Sequence, residues 1–217
     1  MKQISYEQYL ALHNDAEILA SDSFGEKVLR LKDGSIIKLF RTKRIISSAL
    51  FYPYALRFVH NSSKLKNLGI NTVTVINAFK IPSIKRTAVH YKELEGDTLR
   101  NHIMHHSLNG NIVQKLAAFI AKLHNEGVYF RSIHFGNILI ISDKGFGLID
   151  IADMKTRGRP LSLRERTRNF FHLTRYEIDK KSLMPEKNAF TASYISESGL
   201  APNHSARLKK TIDSILS

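Results

Sequence analysis

The spacing of apolar and polar positions changes character near the middle of the chain. From Ala16 to Phe40, AEILASDSFGEKVLRLKDGSIIKLF, short apolar runs are separated by small polar turns. Asp33-Gly34 after Lys32 is a strong hairpin signal and Ser21 to Gly25 reads as a second turn, which predicts three antiparallel strands. From Ser47 to Leu68, Leu56, Val59, Ser63 and Leu65 fall at roughly helical spacing, and Gly69 supplies a normal helix stop. TVTVINAF and TAVHYKEL then read as two further strands.

The second half is patterned differently. Ile112, Leu116, Phe119, Ile120 and Leu123 share one helical face, which ends near Asn125-Glu126-Gly127. NILII and FGLIDI flank the turn Ser142 to Gly145 and predict a second hairpin. The remainder is helical and basic, with Leu163, Thr167, Phe170, Phe171 and Thr174 as one expected buried face. A terminal amphipathic helix carries Leu208, Ile212, Ile215 and Leu216. The expectation is an α+β fold: a β-rich N-lobe over residues 1–95, the connection ELEGD, and a mainly helical C-lobe over 96–217.

With 217 residues the chain can bury a proper core, and 43% hydrophobic and 24% charged residues are those of a globular protein. No cysteine is present, which excludes disulfides and thiolate metal sites. Glu7, Asp15 and Glu17 interrupt the N-terminal stretch, so no apolar signal core forms, and no run is long enough to span a bilayer. A cytoplasmic protein is expected. The formal net charge of +14 points to a polyanionic partner: nucleic acid, an anionic membrane face or a phosphorylated substrate.

The chemistry concentrates in a few residues. Lys38 lies between Ile36 and Phe40 on one strand face, where an ammonium is costly unless it meets an anion or snorkels to solvent. Asn137 follows Gly136 and opens an apolar strand; Asp150 ends the apolar run FGLID thirteen residues later. A cation for phosphates, an amide and a carboxylate for Mg²⁺ are what phosphoryl transfer needs from a protein, because positioning and charge neutralisation dominate that chemistry. Taken singly, each residue also has a common structural explanation, such as a capping Asn or a turn Asp.

The stretch GVYFRSIHFGNILI, with GLIDIADM, KLFRTKR and LHNEG, resembles the lipopolysaccharide kinase family, the Kdo/heptose (WaaP-like) group of the protein-kinase-like superfamily, and its small bacterial "toluene tolerance" members. The resemblance covers roughly Gly25 to Tyr176. It implies a bilobal kinase-like fold, ATP with Mg²⁺, and as acceptor a sugar hydroxyl of lipopolysaccharide core at the inner face of the cytoplasmic membrane. In that frame Lys38 matches the strand lysine, Asn137 and Asp150 the metal ligands, Gly25 the nucleotide loop, and Glu93 and Leu94 the hinge that holds adenine by backbone groups. Arg131 and Ser132 stand in the catalytic loop, and Arg157, Arg159 and Arg164 follow Asp150 where an anionic acceptor docks.

The departures are as specific. Ser132 replaces the acceptor-orienting Asp, the nucleotide loop SDSFGEK has one glycine, and Ile-Ala follows Asp150. No Asp or Glu occurs from Leu39 to Lys92, so the helix carboxylate that would pair with Lys38 is missing, with Phe58 or Asn61 about where it belongs. His134 is a replacement base by chemistry or a structural histidine by position, and Asp153 offers a further carboxylate. Two alternatives therefore stand beside the kinase: a pseudokinase that binds nucleotide or an envelope partner, and a basic nucleic-acid-binding module. The second rests on charge alone, since no recognised nucleic-acid motif occurs. His102 and His106 form an i, i+4 pair with no third ligand nearby in sequence.

Overall fold

The computed structural model describes residues 1–41, 52–142 and 144–217. Thr42 to Arg44 of the stretch KLFRTKR, the expected helix start at Ser47 and Asp143 of the second hairpin turn lie outside them. The chain divides into two compact units, Met1–Leu94 with Ile151–Asp153, and Glu95–Asp150 with Met154–Ser217.

The first unit is built on one sheet. Its strands are β1 (Lys2–Gln3), β2 (Glu17–Asp22), β3 (Gly25–Arg30), β4 (Ile36–Arg41), β6 (Thr74–Ile81) and β7 (Arg86–Lys92), after a short β5 (Asn71–Thr72). They lie in the order β1-β6-β7-β4-β3-β2. The hairpins expected at Ser21–Gly25 and Lys32–Gly34 both form, with Asp22 opposite Gly25 and Arg30 opposite Ile36. Strand alternation sorts the two faces. Ile37 and Leu39 point into a core with Leu29, Phe79, Ile81, Ala88 and Tyr9. Tyr9 comes from α1 (Tyr6–His13), which is opened by a capping box between Ser5 and Gln8.

Ile36, Lys38 and Phe40 point to the other face, which packs on α2 (Tyr54–Asn67). Phe58 of that helix is buried, with its ring centroid 6.3 Å from Phe40 and 5.2 Å from Tyr91. Ser62 Oγ donates to the Val73 carbonyl at 2.8 Å and fastens the helix to the chain entering β6.

The second unit is mainly helical. After β8 (Asp97–Thr98) come α3 (Leu99–His105) and α4 (Gly110–Asn125), then β9 (Val128–Phe130), β10 (Ile138–Ile141), β11 (Gly145–Leu148) and β12 (Met154–Thr156). Helices α5 (Leu163–Leu173), α6 (Glu177–Leu183), α7 (Lys187–Glu197) and α8 (Pro202–Ile215) follow. The expected hairpin pairs Ile138 with Leu148 and Ile141 with Gly145. The helix α4 presents Val113, Leu116, Ile120 and Leu123 to the core, while Ile112 and Phe119 sit at its edge.

The buried face of α5 differs from the one expected from its apolar residues. Arg166, Asn169, Phe170 and Leu173 are buried, whereas Phe171 is 56% exposed. Polar groups go inside because each finds a partner. Arg166 donates to the Leu161 carbonyl, the Tyr194 hydroxyl and Asn125 Oδ1 at 2.9–3.0 Å. Asn169 Nδ2 donates to the Phe130 carbonyl at 2.7 Å, and its Oδ1 meets His124 Nε2 at 3.0 Å. His124 is fully buried between Asn169 and Tyr194, and burial pushes its imidazole down to about 3, so it is neutral.

Candidate functional site

The loop from Arg131 to Asn137 is a closed turn made by its own backbone. Ile133 N–H donates to the Phe130 carbonyl, His134 N–H to Ser132, and Asn137 N–H to His134. The Asn137 side chain closes it further: Nδ2 donates to the Ser132 carbonyl at 2.9 Å and lies 3.3 Å from His134 Nε2. The first bond fixes which end of the amide is nitrogen, since only the NH₂ can face a carbonyl oxygen. His134 Nε2 must then accept, so the ring's proton is on Nδ1. That atom is buried and, among the described residues, has no hydrogen-bond partner.

His134 is thereby held as a support for Asn137. Burial, then the nearby Arg100 charge, lowers its pKa, which keeps the ring neutral. Its ring stands nearly perpendicular to that of Tyr176, with centroids 5.0 Å apart. With one nitrogen engaged by Asn137 and the other buried, the ring is unsuited to the base role considered from its sequence position. Both donors of the Asn137 amide point into the loop, which leaves Oδ1 as the atom available to a ligand.

A second feature anchors the loop from below. Asp179 of α6 is fully buried; it receives Arg100 Nε at 2.9 Å and Nη2 at 2.6 Å, and its Oδ2 also accepts the Phe135 N–H at 3.1 Å. Arg100 in turn covers the Tyr176 ring, 4.3 Å from its centroid. Neither Arg100 nor Asp179 is marked by local sequence, because the pair closes across residues far apart in the chain.

Asp150 sits two residues beyond β11 and is exposed, so its charge lies past the buried run instead of inside it. The Ile149 N–H donates to the Asn137 carbonyl at 3.1 Å, which joins the two ends of the hairpin. Asp150 has φ +52°, a left-handed conformation that costs a non-glycine residue about 1 kcal/mol. Asn137 and Asp150 thus stand at adjacent strand ends of one hairpin.

In the first unit, Lys38 is half-buried on β4 with Nζ 6.0 Å from the Phe40 centroid. The helix position where a carboxylate was missing is occupied by Phe58, packed on aromatic rings, and by Asn61. Asn61 Nδ2 donates to the Ile151 carbonyl at 2.7 Å, tying α2 to the residue after Asp150. Gly25 opens β3 with φ +105°; the turn before it leaves Ser23 and Phe24 at the tip. Arg86 donates to the Phe24 carbonyl, and Arg41 lies 3.4 Å over the Phe24 ring. Glu93 and Leu94 follow the last ladder pair of β7, Lys92 with Thr74. The Glu93 carboxylate lies 3.5 Å from Arg30.

The arginines after Asp150 divide by role. Glu165 caps α5 through Ser162 and takes Arg157 Nε at 3.2 Å and Arg159 Nη1 at 3.0 Å. Burial raises the pKa of this carboxyl, but the Ser162 N–H and hydroxyl and the Arg159 guanidinium outweigh it and bring it to about 2. Arg157 and Arg164 line a cavity of about 470 Å³ together with Arg131, Lys155 and Arg168. Tyr129 and Glu165 complete its wall; Arg159 does not take part. Lys155 reaches it from β12, paired opposite Tyr129 of β9.

No protein-family model matches the chain, and no curated protein matches it. Solved structures do. A structure of the bifunctional kinase-methyltransferase WbdD superposes with a TM-score of 0.52 at 15% identity, over 94% of this chain and 44% of that one. A co-crystal structure of WbdD with a kinase inhibitor gives 0.49 at 13%, over 88% and 42%. Monomeric WbdD gives 0.49 at 14%, over 94% and 46%. The chain spans less than half the length of these proteins. The fold is kinase-like, α+β, with a sheet-based part and a helical part, as the sequence pattern implies. Among the described residues no helix is long and apolar enough to cross a membrane.

Proposed function

We propose that the protein is an ATP-dependent kinase that phosphorylates a sugar hydroxyl of lipopolysaccharide core, on heptose or Kdo, at the inner face of the cytoplasmic membrane. The observation that carries this reading is the joined hairpin end, where the Ile149 N–H donates to the Asn137 carbonyl and the exposed Asp150 follows directly, on a kinase-like fold. An amide oxygen and a carboxylate are the hard donors that Mg²⁺ accepts, and that ion keeps several waters, so two protein oxygens suffice. When bound with ATP, Mg²⁺ neutralises charge on the phosphates.

The chain's residues divide the remaining work. Lys38 supplies an ammonium for nucleotide phosphates, the Gly25 turn covers them, and the Glu93–Leu94 backbone holds adenine. Asn137 is kept in position by the Ser132 carbonyl and by His134. The Ser132 hydroxyl orients the acceptor by hydrogen bonding; it cannot serve as a carboxylate base, and the transition state asks for little covalent help from the protein. Arg131, Arg157 and Arg164 attract the anionic acceptor.

The test is thermal unfolding with and without Mg²⁺-ATP, with Asp150→Asn as control, followed by phosphate transfer to extracted core oligosaccharide. Ligand at about a hundred times its dissociation constant adds about 2.7 kcal/mol, a rise of roughly 5–10 °C in a chain of this size. A rise that needs both Mg²⁺ and Asp150 supports the reading. No shift at millimolar nucleotide makes Ser132 decisive and assigns a pseudokinase that works by binding a partner.

A further inference from the structure

Beyond the cavity on the β9–β12 side of α5 there is a second one of about 600 Å³ on its α8 side. Both are lined by Arg164 and Arg168, which stand one helical turn apart. The first adds Arg131, Lys155 and Arg157; the second adds Arg207, Lys210 and His204 from α8. One carboxylate, Glu165, lies among the cations of the first cavity, and Arg157 shares it with Arg159. Lys155, Arg164 and Arg168 have no acidic partner among the described residues. Like charges held at this density repel, and an anion that enters relieves the repulsion.

We propose that the two cavities form one groove, bridged by Arg164 and Arg168, that binds an oligosaccharide bearing at least two phosphate groups, one in each cavity. The remaining lining favours a sugar over a nucleic acid. Thr167, Thr211 and His204 offer hydrogen bonds suited to hydroxyls. Single-stranded nucleic acids rely on exposed aromatic faces for stacking. Tyr129 is the one Phe, Tyr or Trp side chain in the lining, and its hydroxyl lies 3.3 Å from His172. The groove deepens the kinase reading, on which the identity of the saccharide as acceptor rests: it implies an acceptor that already carries phosphate before transfer.

The experiment is calorimetric titration of the full chain with deacylated, phosphorylated core oligosaccharide, with the same oligosaccharide after phosphatase treatment, and with a single-stranded oligonucleotide. The exposed pair Arg164→Ala with Arg168→Ala should weaken binding of the phosphorylated sugar tenfold or more, since each removes charge-assisted bonds. Lys155→Ala and Lys210→Ala should each weaken it several-fold, from opposite ends, with circular dichroism unchanged. Phosphatase treatment should cost as much as the double variant. Affinity unmoved by these variants, or retained after dephosphorylation, overturns the groove. An oligonucleotide that binds as tightly and loses affinity at the same residues overturns the saccharide assignment. The parent chain and Asp150→Asn together separate the two readings: oligosaccharide binding equal in both, with no phosphate transfer by the parent chain, leaves the groove standing and removes the kinase.

Discussion

Asp179 holds Arg100 by two bonds and the Phe135 N–H by a third, so one buried carboxylate ties α3, α6 and the Arg131–Asn137 loop together. Replacing it with Asn keeps the shape but leaves the Arg100 guanidinium without its counter-charge. Breaking a fully buried pair costs about 3–5 kcal/mol; Arg100 retains some solvent, so about 2–3 kcal/mol is expected for Asp179→Asn. The urea midpoint at constant m-value measures it. A loss below about 0.5 kcal/mol would mean that the pair is not a structural anchor.

His124 makes stability depend on pH in a defined direction. Its folded pKa is pushed down to about 3, whereas an unfolded histidine titrates near 6.5. Above about 6.5 both states are neutral and nothing is lost. Below that, the unfolded chain binds a proton that the folded one refuses, so stability falls by about 1.4 kcal/mol per pH unit, roughly 2 kcal/mol by pH 5. Burial also lowers His90 and His134, which add in the same direction. His124→Gln should flatten the pH 7.5 to pH 5 difference by roughly 2 kcal/mol relative to the parent. An unchanged slope in that variant would place its origin elsewhere.

The Asn137–His134 contact separates positioning from proton transfer. If His134 only steadies the amide, His134→Gln, which can still accept from Asn137, should keep most of any transfer rate. The rate profile should then lack an ascending limb belonging to a histidine. His134→Ala should weaken Mg²⁺ dependence several-fold. A collapse of kcat in the Gln variant together with loss of an ascending pH limb would restore the base role.

Gly127 and Gly145 both have positive φ, +71° and +78°, but only one is crowded. A Cβ at Gly127 would run into the Arg159 carbonyl oxygen and lie 2.7 Å from that of Arg157, whereas at Gly145 nothing is within 4 Å. Gly145→Ala should therefore cost about 1 kcal/mol from backbone strain alone, and Gly127→Ala clearly more. Equal midpoint shifts for the two in denaturant would show that the Arg157–Arg159 segment yields freely.

The first-unit hairpins, the α4 stripe and the 138–148 hairpin were legible because each is written locally, in turn residues and in periods of two or 3.6. The α5 face was not: Arg166 and Asn169 read as surface residues until Tyr194, Asn125 and the Phe130 carbonyl arrive from other elements to satisfy them. The same limit hid Asp179, whose partners lie 79 and 44 residues away. Asn137, Asp150 and Arg164 were visible through spacing and charge. Arg168 and Lys155 were visible as charges, but only the β9–β12 register and the helical turn from Arg164 place them in one cavity. The engagement of His134 by Asn137 depends on side-chain geometry that residue type does not encode.

The stretch from β12 to Leu161 is fastened repeatedly to the body of its own unit: Met154 to Thr156 pair with β9, the Arg157 N–H donates to the Gly127 carbonyl, and the Leu161 N–H donates to the His124 carbonyl, each of the last two at 2.8 Å. Lys155 and Arg157 are therefore presented on backbone that has little left to order. An incoming anion meets a wall whose backbone is already ordered, so the backbone part of the conformational entropy was lost when the chain folded and only the side chains remain to be ordered on association. Capture should then be governed by long-range attraction and be fast and salt-sensitive, with residence set by how many phosphates the ligand brings.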